Sequence, residues 1–268
     1  MNGLAKKKLR CLWNKRNIVW SLLIPSVISA LGFGLFHYSK SFSSGGPNLT
    51  FYDWVWPHQT TDLEYLSVFD ICGRQATKCL MMGPRFLVGT FEINGLYVSH
   101  ISAKDNFNNE MPIGLVWRIE QLISPHLAAR EIRAVLDFFS DLGISVEVLV
   151  IDYDSPSRGL ADYADWIKDL SAQRLQRPIS TTGLASWSLD NPVGFESLLD
   201  AADTVSIQLY QGSKTVFLND ALVHLMESSD NLHISLYCAD KGLLDHVINN
   251  VSISRPLNIG IFDGVDCN

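Results

Sequence analysis

Charged side chains stand where short apolar runs of this sequence end. Asp152 and Asp154 close the run VLVI, and Glu92 follows the run that begins at Phe86. Residues two apart on a strand point to the same face, so Asp152 and Asp154 project together. Two neighbouring carboxylates raise the pKa of at least one of them, which keeps an acid protonated for general acid work near neutral pH. The pattern predicts acid/base chemistry, with Asp152, Asp154 and Glu92 as candidate catalytic residues.

Residues suited to holding a sugar accompany these acids. Guanidinium and amide groups hydrogen-bond to hydroxyls, and aromatic rings offer apolar faces to sugar rings. The candidate substrate-binding residues are Arg118, Gln208, Trp54, Trp187, Tyr210 and, on the helix after the fourth strand, Tyr163. We therefore predict a glycan or polysaccharide ligand. No Cys/His spacing typical of a zinc site occurs, and we expect no metal ion and no cofactor.

Several of these residues have a structural alternative. Asp154, followed by Ser155 and Pro156, is also typical of a helix cap or a turn. Arg118 suits a buried ion pair between strands equally well. Trp187 and Tyr210 also fit core or rim positions. For Asp152 function is favoured, and also for Glu92, because a carboxylate in an apolar run needs a reason to be there.

Strands must alternate with helices to position these side chains. Apolar runs predict eight strands, at Leu49–Trp56, Phe86–Ile93, Ile113–Ile119, Val146–Asp152, Ile179–Ser186, Thr204–Tyr210, Leu232–Cys238 and Leu257–Phe262. Helical patterns cover Pro125–Leu142, Leu160–Leu175, Gly194–Ala202, Val216–Met226 and Lys241–Asn250. Eight strands in this alternation predict a parallel (β/α)8 barrel, whose chemistry lies at the C-terminal ends of the strands.

The helices of this predicted barrel are irregular. The stretch between Gly95 and Pro112 has no helical period, and only six residues follow Phe262, so one or two outer helices are expected to be missing. A doubly wound open sheet is the alternative fold. It has no support as a nucleotide-binding domain, because no glycine-rich phosphate loop follows the first strand.

The N-terminal segment has the composition of a signal anchor. Residues 1–16 hold six basic residues and no acidic one, and the run Asn17–Phe36 is uncharged. Twenty helical residues reach about 30 Å, the thickness of a hydrocarbon core. We predict a cytoplasmic segment at 1–16, a transmembrane helix at 17–38, a linker at 39–48 and an exported barrel domain at 49–268. Ser41 and Ser43 leave a cleaved signal peptide as the alternative.

Charge separates the two parts of the chain. Seven of the 21 Lys and Arg residues lie in residues 1–47 with none of the 28 acidic ones, which leaves 14 basic and 28 acidic residues beyond. An acidic exported domain disfavours nucleic acid as a partner. The predicted localisation is the inner membrane, with a single span and a periplasmic or extracellular domain.

Four of the five cysteines fall on the predicted exported side. We favour disulfides between Cys72 and Cys79 and between Cys238 and Cys267, because local chain geometry brings each pair close. Small buried thiols are the alternative.

The exported part resembles DUF3142, a group of uncharacterised exported bacterial proteins that look like distant relatives of barrel-fold glycoside hydrolases. The segments that carry the resemblance are FYDWVW, GTFEI, LVWRIE, VLVIDYDSPSRGLADY, STTGLASW and SIQLY. The resemblance implies a barrel with Glu92, Arg118, Asp152, Asp154, Tyr163, Trp187 and Gln208 at recurrent positions. Pro156 stands where chitinase barrels carry their catalytic Glu, so a chitinase-type mechanism is not expected.

Three functional hypotheses follow from these patterns. The first is a membrane-anchored protein of glycoside-hydrolase type that acts on an envelope or extracellular glycan. The second is a non-catalytic glycan-binding or envelope-assembly protein on a barrel scaffold, and the third is an inert scaffold. Two acids about 5–9.5 Å apart across a cleft favour hydrolysis, whereas acids locked by Arg or by a cap favour binding or structure.

Overall fold

A computed structural model describes residues 48–55, 78–101, 112–211, 214–215, 220, 223–224, 226, 229–237, 241–250 and 257–262. They belong to one compact unit, residues 38–268. Among these described residues, no helix is both long and apolar enough to cross a bilayer. Residues 1–47, which include the predicted signal anchor, lie outside the description, as do Cys72, Cys238, Cys267 and the side chain of Cys79.

Eight parallel strands form a closed barrel. They are β1 (Asn48–Val55), β2 (Arg85–Phe91), β3 (Ile113–Ile119), β4 (Val146–Asp152), β5 (Ile179–Leu184), β6 (Thr204–Gln208), β7 (Leu232–Tyr237) and β8 (Leu257–Phe262). Each strand pairs with the next in parallel, and β1 pairs with both β8 and β2. The closure confirms the predicted eight-stranded α/β sheet and excludes the open doubly wound sheet.

Helices pack on the outside of this barrel. The described ones are α1 (Pro125–Asp141), α2 (Leu160–Ser171), α3 (Trp187–Asp190), α4 (Pro192–Ala201) and α5 (Lys241–Asn250). In α1 the buried residues Ala128, Ile132, Val135 and Phe139 recur at helical spacing, which gives one apolar face toward the sheet. The helix begins with Pro125 and is followed by Gly143 at φ 72°, a left-handed conformation that glycine adopts without strain.

The connection from β2 to β3 departs from the regular pattern. Its described part, residues 92–101 and 112, contains no helix. Instead the chain turns back at Glu92 and forms a short strand, Tyr97–Ser99, antiparallel to β2. This part of the connection agrees with the missing helix predicted for the aperiodic stretch after Gly95.

Three predicted strands end earlier than the sequence suggested, and each difference lies close to the candidate site. β2 ends at Phe91 because Glu92 opens a turn. β5 ends at Leu184 because Trp187 begins α3. β6 ends at Gln208, and Tyr210–Gln211 pairs instead with Lys214–Thr215. The predicted helix at Val216–Met226 is described only at residues 220, 223–224 and 226, which are helical.

The barrel interior contains its own small apolar cluster. Tyr52, Trp54, Val116, Val148 and Val150 form it and are separate from the larger core between sheet and helices. Val116 and Val150 stand two residues before Arg118 and Asp152 on the same strand faces. The cluster therefore lies directly beneath the polar residues at the C-terminal mouth.

Candidate functional site

Three neighbouring strands bring one polar side chain each to the barrel mouth. Arg118 of β3 is the direct register partner of Asp152 of β4, and Thr182 of β5 lies beside Asp152. Residues in register on a parallel sheet point to the same face, which here is the interior. The strand register alone therefore assembles a lateral Arg–Asp–Thr row.

Hydrogen bonds join this row. Arg118 donates from Nη1 to Oδ2 of Asp152 at 2.9 Å, and the Thr182 hydroxyl donates to Oδ1 of the same carboxylate at 2.7 Å. The second amino group of Arg118 donates to Oδ2 of Asp154 at 3.2 Å. One guanidinium therefore bridges both aspartates. This confirms that Asp152 is within reach of Arg118, and it brings Asp154, which lies beyond the end of the strand, to the same guanidinium.

Exposure increases outward across the cluster. The side chain of Asp152 is 7% exposed, that of Arg118 is 40% exposed and that of Asp154 is 51% exposed. Burial raises the pKa of Asp152 above its ordinary value, although the neighbouring Arg118 charge and the Thr182 hydrogen bond oppose this. The ion pair thus has a buried end that fixes it and an open end that faces solvent.

The loop that carries Asp154 is held by the segment after β5. The indole of Trp187 donates to the carbonyl of Ser155 at 3.1 Å, and the amide of Asn191 donates to the carbonyl of Ser157 at 2.7 Å. The Ser157 hydroxyl in turn donates to Asp190 at 3.1 Å. These contacts fix the loop between β4 and α2, and so the position of Asp154, without using its carboxylate as a cap.

Asn191 has two roles, which can be separated by substitution. Its side-chain oxygen caps α4 by accepting from the Gly194 N–H at 3.0 Å, while its amide group binds the loop. We expect Asn191→Ala to lower the free energy of unfolding by about 1–2 kcal/mol, because both contacts are lost. Asn191→Asp keeps the cap and should lower the free energy of unfolding by less than Asn191→Ala does. Urea denaturation of both variants measures this, and equal losses would contradict a separate contribution of the cap.

Glu92 is the third predicted catalytic residue. Its described contacts are separate from those of Asp152 and Asp154. Its carboxylate accepts from the Asn94 amide at 3.5 Å, within the turn that Gly95 closes. The carboxylate of Glu120 accepts from the Ile93 N–H at 3.3 Å. Glu92 is thus at the mouth but is bound to its own turn.

The predicted aromatic residues are mostly enclosed by protein. Trp187 is fully buried and packs on Phe195, so it positions the Asp154 loop. Tyr163 is also fully buried, and its hydroxyl donates to the carbonyl of Ile151 at 3.3 Å from behind β4. Burial raises the pKa of Tyr163 well above its ordinary value. In these positions neither ring has a free face for a sugar.

The remaining predicted binding residues differ in position. Trp54 belongs to the inner apolar cluster below the mouth. Gln208 is half-buried at the end of β6, and no hydrogen bond joins its side chain to another described residue. For Tyr210 the structure describes only the backbone.

Sequence reasoning missed two residues that shape this site. Thr182 fixes one oxygen of Asp152, and Asn191 fixes the loop of Asp154. A weak signal for Thr182 was present, because the predicted strand carries three hydroxyl residues in a row, Ser180 to Thr182, between Ile179 and Gly183. Asn191 followed by Pro192 is a typical helix start, yet nothing in the sequence shows the contact across to Ser157.

A metal centre is not formed by the part of the chain that the structure describes. Within it, no three His, Cys, Asp or Glu residues come together in a way that could hold an ion. Arg118 supplies a positive charge at the mouth, and its guanidinium lies between Asp152 and Asp154.

Comparison with known proteins gives structural similarities only. No protein-family model matches the sequence, and no curated protein matches it. The spore cortex-lytic enzyme SleL of Bacillus cereus is similar over 72% of this chain and 51% of its own, with 12% identity and a TM-score of 0.44. This chain thus spans about half the length of SleL.

Two further solved structures are similar to this chain. The catalytic domain of a family GH18 chitinase from the fern Peteris ryukyuensis has 9% identity and a TM-score of 0.45, over 79% of this chain and 90% of its own. The tryptophan synthase A-subunit from Pyrococcus furiosus has 11% identity and a TM-score of 0.34, over 79% and 86%. At TM-scores below 0.5 these similarities carry no argument about activity.

Proposed function

We propose that this chain is a membrane-anchored barrel protein whose mouth binds an envelope or extracellular glycan. The observation that carries the proposal is the Arg118 guanidinium, which is held between two aspartates at the C-terminal mouth and is 40% exposed. In parallel α/β barrels this end of the strands is where ligands bind. The site combines a fixed hydrogen-bond donor, the Arg118 guanidinium, with a solvent-exposed acceptor, the Asp154 carboxylate.

The chemistry of this mouth suits hydroxyl groups. Arg118 offers N–H donors, Asp154 offers a half-exposed carboxylate, and Gln208 offers an amide without a protein partner among the described residues. A neutral glycan supplies both donors and acceptors through its hydroxyls. Because Asp152 balances the charge of Arg118 from below, the site is not built for a strong anion.

The geometry favours binding over hydrolysis. Glycosidases place two carboxyl groups on either side of the scissile bond, about 5–9.5 Å apart. Here Asp152 and Asp154 accept from the same guanidinium, and Glu92 accepts from Asn94 in its turn. Among the described residues, each predicted catalytic acid is therefore engaged by a protein group.

Hydrolysis of the glycan is the second candidate, for one specific reason. Burial raises the pKa of Asp152, and a raised pKa is what a general acid requires. In that case Asp152 would have to exchange its contact with Arg118 for the glycosidic oxygen. The resemblance to DUF3142 is compatible with either candidate and stays a prediction.

The test is a panel of bacterial polysaccharides offered to the purified full-length protein, with binding and product release measured together. We expect saturable binding of a polysaccharide without release of products. Asp154→Asn should raise the Kd about tenfold or more, because it removes the open charged acceptor. Asp165→Asn is the control, since Asp165 is exposed on α2 with a side chain 77% accessible, and it should leave the Kd unchanged.

The outcomes separate the two candidates. Absence of binding to every polysaccharide would overturn the glycan proposal. Release of products that is abolished by Asp152→Asn would show hydrolysis. Equal affinities of the Asp154→Asn and Asp165→Asn variants would place the ligand away from the Arg118 cluster.

We also propose that residues 17–38 anchor the chain and that the barrel domain is exported. The basic segment before this apolar run supports that orientation. A reporter fused after Asn268 should be active only outside the cytoplasm, and the protein should remain in the membrane at full length. Recovery of a shortened soluble form would support the cleaved signal instead. The disulfides Cys72–Cys79 and Cys238–Cys267 stay predictions, which peptide mass spectrometry without reduction can test.

A further inference from the structure

A second polar space lies at the opposite end of the barrel. It is a cavity of about 250 Å³, lined by residues at or near the starts of the strands and by the underside of the inner apolar cluster. The polar lining residues are Arg85, Glu147, Ser180, Thr204, His233 and Asn258. All eight strands run in the same direction, so their starts lie at one end of the barrel and the mouth lies at the other. Tyr52, Val116 and Val150 of the inner apolar cluster separate this cavity from the mouth.

Arg85 is a buried cation in the wall of this cavity. Its side chain is only 8% exposed, and it donates from Nη1 to Glu147 at 2.9 Å. Its guanidinium also lies over the Tyr52 ring, 4.7 Å from the centroid. Among the described lining residues, Trp54 has a buried indole N–H without a hydrogen-bond partner. A buried donor without a partner is costly, which indicates a missing acceptor at this place.

The fold makes room for Arg85. A Cβ on Gly114 of the neighbouring strand would lie 2.2 Å from Cδ of Arg85, so a glycine is needed for the side chain to pass. The guanidinium is therefore held by the ion pair with Glu147 and by the face of the Tyr52 ring, and the space at Gly114 lets the side chain pass. Such preorganised donors are typical of binding sites.

The rest of the lining mixes donors and acceptors. Thr204 donates to Ser180 at 2.7 Å, and Asn258 is 2.7 Å from Nε2 of His233. The carboxylate of Glu147 compensates the charge of Arg85. The walls between these groups are Trp54, Met82, Val148 and Pro178. The cavity thus has hydroxyl, amide, cationic and carboxylate groups around an aromatic and aliphatic wall.

We propose that this cavity binds a small neutral polyhydroxyl molecule, of the size of a single sugar ring. An anion is disfavoured because Glu147 lies in the wall, whereas hydroxyls can accept from Arg85 and donate to Glu147. Pockets for drug-sized ligands measure about 300–1,000 Å³, so this smaller space fits one ring and no chain. The proposal does not rest on glycan binding at the mouth.

The test uses the full-length protein and two kinds of probe. D-glucose, D-galactose and myo-inositol represent neutral polyols, and acetate and inorganic phosphate represent anions. Saturation-transfer NMR should show saturable binding of a neutral probe, with a Kd in the millimolar range. Arg85→Met removes the donors and keeps the aliphatic stem, so it should raise that Kd about tenfold or more. Asp154→Asn changes only the mouth and should leave it unchanged.

Further variants keep the proposal testable if Arg85→Met does not fold. Thr204→Val keeps the side-chain size and loses one hydroxyl, and Asn258→Leu loses the amide; each should raise the Kd about threefold or more. Unchanged affinity in both would overturn the proposal. So would binding of acetate or phosphate but of no polyol, or no saturable binding of any probe. Loss of binding in Asp154→Asn would assign the probe to the mouth, which would also overturn it.

Discussion

Replacement of Arg118 by Met is expected to abolish glycan binding and to lower the free energy of unfolding by about 2–3 kcal/mol at neutral pH. The substitution leaves the carboxylate of Asp152, 7% exposed, with Thr182 as its remaining partner in the row. Breaking a fully buried pair costs about 3–5 kcal/mol. The loss should be smaller here because water can enter the place of Arg118, which is 40% exposed.

The loss should depend on pH. Burial holds the pKa of Asp152 above its ordinary value, and removal of the neighbouring cation raises that pKa further. A carboxyl group with a raised pKa stabilises the fold at low pH, and this contribution is lost as the pH rises through the folded-state pKa. The Arg118→Met variant should therefore be closer to the parent protein at pH 4 than at neutral pH.

Urea denaturation of the full-length protein at both pH values measures this difference. Arg130→Met is the matched control, because the Arg130 side chain is 72% exposed and, among the described residues, pairs only with the adjacent Glu131. It should change the free energy of unfolding by no more than about 0.5 kcal/mol at either pH. A loss in Arg118→Met that is the same at both pH values would contradict the buried-carboxylate argument.

Much of the architecture could be predicted because strand signals are local. Runs such as VLVI and SIQL are apolar on both faces, and a parallel strand covered by helices requires that pattern. The Asp152–Arg118 contact also followed from the sequence, because both residues end strands that are neighbours in the barrel order. Periodicity and strand order together were sufficient for this part of the site.

The orientation of the aromatic residues could not be predicted in the same way. Trp187 was placed at the end of a strand, whereas it begins α3 and is fully buried. Whether a ring faces the mouth or the helix layer depends on where the strand stops, and a shift of one residue reverses it. The cavity around Arg85 was also missed, because its residues come from seven different strands and from the segments that precede two of them.

Because Arg118 is more exposed than Asp152, we expect a second large effect on the free energy of unfolding. It concerns the double variant that combines Arg118→Met with Asp152→Asn. Asp152→Asn alone should cost only about 1–2 kcal/mol, because the arginine left behind is half-exposed and keeps its contact with Asp154. In the Arg118→Met background the same change removes an unpaired buried charge. The double variant should therefore be more stable than Arg118→Met by about 1–2 kcal/mol at neutral pH.

This comparison also distinguishes a structural Asp152 from one that reacts with or holds the ligand. At a pH below the raised folded-state pKa of Asp152, the double variant and Arg118→Met should have similar free energies of unfolding. If Asp152 mainly orders Arg118, then Asp152→Asn should weaken glycan binding and keep a measurable part of it, since Asp154 still holds the guanidinium. Complete loss of binding in Asp152→Asn with unchanged stability would instead make Asp152 a ligand-contacting residue. A double variant less stable than both single variants would show that the buried charge of Asp152 is not what destabilises Arg118→Met.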